Sequence, residues 1–81
     1  MQTAHPRFDR IVSDPDVLDG QPCVRGHRLT VKRVLHVLAQ YAGDFAELSK
    51  DYELEAEDVR QVLAYAAEGV DDRALFVRQA S

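Results

Sequence analysis

The stretch Thr30-Val31-Lys32-Arg33-Val34-Leu35-His36-Val37-Leu38-Ala39-Gln40-Tyr41-Ala42-Gly43 decides the fold. Val31, Val34, Leu35, Leu38 and Ala42 recur at the spacing that lines one face of an α-helix. Thr30 stands where a hydroxyl can cap the first turn, and Gly43 where a helix commonly stops. Lys32, Arg33, His36 and Gln40 occupy the opposite face. The pattern predicts an amphipathic helix that buries its valine and leucine stripe and shows bases to solvent.

Upstream, Gly20-Gln21-Pro22-Cys23-Val24-Arg25-Gly26-His27-Arg28-Leu29 feeds this helix. Two glycines and a proline make the segment turn-rich, and no acidic residue falls between Arg25 and His36. Before it, Phe8 to Val12 reads as a short β-type run ended by Ser13-Asp14-Pro15. Val24 and the Arg28–Val31 stretch are candidates for a second strand against it.

Downstream, a short second helix follows. Asp44 can cap it, Glu47 completes a capping-box pattern, and Phe45 and Leu48 are expected to point inward. It should stop near Asp51-Tyr52. A third helix starts around Ala56, with Leu54 and Val59 spaced as a hydrophobic staple. Val59, Val62, Leu63 and Ala66 form its expected buried stripe, and Glu57 and Asp58 suit the positive end of its dipole. Gly69 fits as its stop. The chain thus divides into an N-terminal arm over residues 1–10, a helical domain over 11–69 and a tail over 70–81.

Composition narrows the functional class. The chain has 81 residues, 46% of them hydrophobic, which suits one small globular domain. A core this small leaves room for a homodimer or a partner to add burial. The single cysteine, Cys23, rules out an internal disulfide and suits a reducing, cytoplasmic setting. No apolar run is long enough to span a bilayer, and no signal-peptide pattern opens the chain. The net charge of −4 is unevenly spread. Residues 1–40 carry six bases and four acids, whereas residues 41–81 carry four bases and ten acids. The acidic half reads as a solubilising surface, and the basic half is where an anion would be bound.

Catalytic and metal chemistry find little support. Cys23, His27 and His36 are usable zinc ligand types, but a fourth ligand is missing and the spacing matches no zinc finger. Cys23 reads as a small buried apolar residue rather than a nucleophile. The carboxylates Glu53, Glu55, Glu57 and Asp58 read as an exposed helix start. With no convergent acid–base pair, an enzyme is not expected, and no cofactor is implied.

Nucleic acid is the better-supported ligand. The second and third helices have the lengths and spacing of a helix-turn-helix pair, whose second helix normally reads the major groove. Here that helix opens with Glu55, Glu57 and Asp58, which oppose a polyanion, and only Arg60 and Gln61 are suitable readers. The basic segment offers another contact. Lys32 and Arg33 in a first helical turn oppose the helix dipole, at about 0.3–1 kcal/mol each. A phosphate at that helix end reverses the sign, held by backbone N–H groups and by Arg25, Arg28, Lys32 and Arg33. The competing reading is a solvated basic face paired with the acidic half of the chain. In the tail, Arg73 and Arg78 flank Ala74-Leu75-Phe76-Val77, an apolar patch suited to docking on another protein or closing the core.

These residues resemble a known family. Ile11, Asp14-Pro15, Gly20, Pro22, Arg25-Gly26, Arg28 and Val31 match the N-terminal signature of the domain-of-unknown-function 433 family. Asp51-Tyr52-Glu53-Leu54, Glu57-Asp58-Val59 and Leu63-Ala64-Tyr65-Ala66 are similar to its C-terminal half. The likeness covers about Ile11 to Ala67. Departures are His27, usually Thr; Thr30, usually Pro; Glu53, usually Pro; and Glu55, usually a Thr or Ser cap, the last two implying a looser start to the third helix. The resemblance implies a mainly α, three-helix homeodomain-like bundle with a short N-terminal strand or hairpin. It also implies a bacterial antitoxin that binds a PIN-like ribonuclease toxin and represses its own operon. Under that expectation Arg25, His27, Arg28, Lys32, Arg33, Arg60 and Gln61 face double-stranded DNA. Arg73, Leu75, Phe76 and Arg78 face the toxin, with Arg73 or Arg78 entering its metal-binding carboxylate site. A stand-alone DNA-binding regulator is the alternative.

Overall fold

The computed structural model describes residues 1–42 and 44–70. Three short strands, β1 (Thr3–Ala4), β2 (Ile11–Ser13) and β3 (Cys23–Val24), precede three helices, α1 (Val31–Gln40), α2 (Phe45–Tyr52) and α3 (Ala56–Glu68). The strands form one antiparallel sheet in the order β1-β2-β3. Thr3 and Ala4 pair with Ser13 and Val12, and Ile11 and Val12 pair with Val24 and Cys23.

The sheet differs in detail from the expected hairpin. β2 begins only at Ile11, because the chain turns at Asp9-Arg10 and Phe8 enters the core as a loop residue. Thr3–Ala4 adds a strand that two exposed residues do not announce. Arg28–Val31 does not pair with β2. Instead, Thr30 bridges to Cys23, and the Val24 N–H bonds the Leu29 carbonyl at 3.0 Å, so this stretch folds back on β3.

α1 forms as its spacing requires. The Thr30 hydroxyl accepts from the Arg33 N–H at 3.0 Å and closes the first turn. Val31, Val34, Val37 and Leu38 are buried, and Leu35 packs against their cluster. Val37 takes the place expected of Ala42, which is exposed because the helix has already ended at Gln40. Ala42 itself adopts the left-handed conformation, φ 51°. The expected stop at Gly43 lies outside the described residues.

α2 is capped by Asp44, whose carboxylate accepts from the Glu47 N–H at 3.1 Å. Leu48 is buried, but Phe45 is half exposed, against expectation. Phe45 opens the helix beside a groove shared with α3 residues, where half of its surface stays exposed.

α3 starts firmly rather than loosely. The Asp58 carboxylate reaches back to accept from the Glu55 N–H at 2.8 Å, so an acid three residues into the turn supplies the cap that Glu55 was expected to lack. Val59 and Val62 are buried with Leu54, as the staple predicted. Leu63 is 39% exposed, so it leaves the expected stripe. Asp58 and Gln61 take up buried positions on the helix instead. Among the described residues thirteen hydrophobic side chains make the core, with Val24, Val34, Val37, Leu48 and Val62 the most deeply buried. α1 is the central helix, packing on both α2 and α3.

Candidate nucleic-acid interface

The basic segment is built on a tight turn. The His27 N–H bonds the Val24 carbonyl at 3.0 Å, and Gly26 between them has φ 82°. That is the geometry of a type II turn, whose third residue must be left-handed. A side chain would find space at Gly26, so conformation rather than crowding calls for glycine there. The Arg25 N–H bonds the Arg10 carbonyl at 2.7 Å and ties the turn to the chain entering β2.

His27 ties the same turn to the helices. Its Nδ1 lies 3.2 Å from the Arg25 carbonyl oxygen, and its Nε2 lies 3.2 Å from the Glu53 carbonyl oxygen. Half-buried His27 thus spans 26 residues of sequence to hold the loop against the α2–α3 turn. The sequence pointed to His27 as a DNA contact, and the structure gives it this bridging position.

Arg28, Lys32 and Arg33 are exposed and lie at the entry to α1. Among the described residues none of the three has a carboxylate within ion-pair distance, whereas most other bases do. Arg10 bonds Asp58 at 3.1 Å and Glu55 at 3.0 Å. Arg60 is held by Glu57, Arg7 by Glu68, and Arg25 sits 4.0 Å from Asp9. The positive charge that the fold leaves uncancelled at the α1 entry therefore belongs to three neighbours in sequence.

The backbone contributes less than expected. The Val31 N–H is bonded to the Pro22 carbonyl at 2.9 Å, and the Arg33 N–H to Thr30. Two amides of the first turn are thus already used, and an anion here would be gripped by side chains.

The expected readers on α3 are differently engaged. Gln61 is 4% exposed. Its Oε1 accepts from the Arg10 N–H at 2.9 Å, and its Nε2 donates to Asp9 and Glu57, each at 2.8 Å. It is not available to read a base, because every polar atom of its amide is committed inside the fold. Arg60 is exposed but bidentate to Glu57, at 2.7 and 2.5 Å. That hydrogen bonding, with Gln61 adding to it, lowers the Glu57 pKa to about 2. The same pairing raises the Arg60 pKa, and the Gln61 amide lowers that of Asp9. Sequence reasoning missed the Asp9–Arg10 corner, whose ion pair with Asp58 raises the Arg10 pKa and fastens the sheet to α3. No local signal marks it, since its partners at the α3 end of the chain lie 45 to 52 residues away.

Cys23 is buried in β3, with its thiol 3.2 Å from the Gln21 carbonyl, and burial pushes its pKa up. Among the described residues Cys23, His27 and His36 do not gather into a metal-binding group. No helix among the described residues is long and apolar enough to cross a membrane. Arg73, Leu75, Phe76 and Arg78 lie outside the described residues.

The fold and site define a small helical domain that presents a sheet-anchored basic loop at the entry to its central helix. The family model described as Protein of unknown function (DUF433) matches residues 11–66, and the chain belongs to that family. Comparison with curated proteins and with solved structures gave no match.

Proposed function

We propose that this chain is the antitoxin of a bacterial type II toxin–antitoxin pair, acting in the cytoplasm, and that it touches operator DNA through the loop entering α1. In this reading α1, α2 and α3 form a homeodomain-like helix-turn-helix domain that binds DNA in an unusual way. Arg28, Lys32 and Arg33 meet backbone phosphates, with Arg25 beside them. The carrying observation is that these three bases lack a carboxylate partner among the described residues of a chain with net charge −4. α3 is a poor reader by the same electrostatics. Glu55 and Glu57 crowd its first turn, and Arg60 is already neutralised. Phosphate contacts fix position rather than sequence, so selectivity would come from DNA shape or from a bound partner.

The partner is a PIN-like ribonuclease toxin. The acidic half of the chain and the tail from Val70 to Ser81 would face it, with Arg73, Leu75, Phe76 and Arg78 as contacts. Co-expression with the protein encoded beside it should give a complex that survives purification and relieve that protein's toxicity. If removal of residues 70–81 leaves the complex unchanged, the tail is not the toxin contact. If the chain binds its operator tightly and finds no protein partner, a stand-alone transcriptional regulator is the better description.

A further inference from the structure

Beyond its basic first turn, α1 keeps a continuous exposed face. Lys32, Arg33, His36, Ala39 and Gln40 are all exposed, while Val31, Val34, Val37 and Leu38 are buried. At about 100° per residue, the five exposed positions fall within an arc of roughly 120°. From Lys32 to Gln40 that arc runs about 12 Å along the helix axis. We infer that this face lies in the DNA major groove, where His36 and Gln40 contact base edges and set the sequence preference. The inference rests on the DNA-binding reading above and adds to it a direct source of selectivity on α1 itself.

Charge selects this face over those of the other two helices. Lys32 and Arg33 have no carboxylate within ion-pair distance among the described residues, and no acid stands on the α1 face. By contrast, α2 exposes Glu47 and Asp51, and α3 exposes Glu68 with half-buried Glu57 in its first turn. A polyanion is drawn to α1 and opposed by both others. The charge is also graded along α1. The bases occupy the first turn, whereas acids gather beyond the last, where the Tyr41 hydroxyl donates to Asp51 at 2.6 Å and Asp44 caps α2. The face therefore docks through its first two turns, with His36 foremost.

The side chains beyond the bases suit readout. His36 stands one turn from both Lys32 and Arg33, near the middle of the arc, and Gln40 one turn further. Imidazole and amide groups can each donate and accept, as base edges require, and an amide can pair two-fold with adenine. Neither side chain is hydrogen-bonded among the described residues, unlike Gln61, whose amide makes three bonds inside the fold. Ala39 beside them presents only a methyl group, which lets the helix approach the bases closely and can itself meet a thymine methyl.

Fluorescence anisotropy on the full chain, with and without the protein encoded beside it, tests the inference. The probes are a duplex from the chain's own promoter and a shuffled duplex of the same length and composition. Wild type should favour the promoter duplex. His36→Ala, Gln40→Ala and the double variant replace exposed side chains and should keep the wild-type circular dichroism. The double variant should cut the preference by about fivefold or more, with binding to the shuffled duplex and its salt slope unchanged. An unchanged preference in the folded double variant overturns the inference but leaves phosphate contact by Arg28, Lys32 and Arg33 standing. A wild type that binds both duplexes equally does the same. A preference lost with Arg60→Ala and kept in the double variant gives the reading to α3 and also overturns it. So does a double variant that loses its protein partner while keeping the promoter preference, which would assign the face to an acidic protein surface. A wild type that binds neither duplex, alone or with its partner, removes the DNA-binding reading and this inference with it.

Discussion

Gln61 shows how little a single residue type says about its role. In sequence it is an amide near the start of a helix, a natural reader of adenine. In the structure it joins the Asp9–Arg10 corner to Glu57 and leaves no atom free. Gln61→Ala should lower stability by about 1–3 kcal/mol in urea unfolding, because it strands a buried N–H and removes two carboxylate partners. Arg60→Ala, which removes an exposed ion pair, should move the midpoint far less. Glu57 gives a pH dependence of definite sign. Its pKa falls from an ordinary 4.5 to about 2 in the folded chain, so its contribution is present above pH 4.5. That contribution disappears as pH drops toward 2, because the unfolded chain takes up the proton first. Unfolding followed from pH 5 to 2 should show a smaller loss of stability in Glu57→Gln than in wild type. Tyr41 works in the opposite direction. Its hydroxyl donates to Asp51 at 2.6 Å, which raises its pKa to about 12. Its stabilising effect is full below pH 10 and is lost as pH climbs to 12.

At the scale of elements, the helices were legible and their outward faces were not. Caps are local, so Thr30, Asp44 and the hydrophobic period found α1, α2 and α3 within a residue or two. Phe45 and Leu63 fit a buried stripe equally well by spacing, and periodicity cannot tell an apolar face turned to the core from one left open to a partner. β1 and β3, two residues each, are too short to show a period at all. The α2–α3 turn carries a testable strain. Glu53 has φ 56°, a left-handed conformation in which a side chain is disfavoured by roughly 1–2 kcal/mol. Its N–H still bonds the Ser49 carbonyl. Glu53→Gly should therefore stabilise the domain by about 1 kcal/mol in thermal or urea unfolding, with the His27 contact kept because it uses the backbone oxygen. Thr30→Ala should cost about 1 kcal/mol by removing the cap of α1.

At the scale of the whole molecule, charge is sorted rather than merely unbalanced. Among the described residues four of the six arginines, Arg7, Arg10, Arg25 and Arg60, have a carboxylate within ion-pair distance, the first three across long stretches of sequence. The sequence showed a basic run without acids. Only the fold shows that acids distant in sequence neutralise Arg10, that Glu57 neutralises Arg60, and that Arg28, Lys32 and Arg33 are left without such partners among the described residues. The sequence also suggested an open amide nest at α1, which the sheet-side carbonyl of Pro22 and the Thr30 cap have partly filled. The central claim is that DNA phosphate is met by this segment and not by α3. The most direct measurement is the salt dependence of binding to a duplex from the chain's own promoter, by fluorescence anisotropy. In the variant combining Arg28→Ala, Lys32→Ala and Arg33→Ala, the slope of log affinity against log salt should become shallower by about 2–3, since each phosphate no longer neutralised removes about 0.9. An unchanged slope in that variant, with binding abolished by Arg60→Ala, would contradict the claim and return the DNA interface to α3.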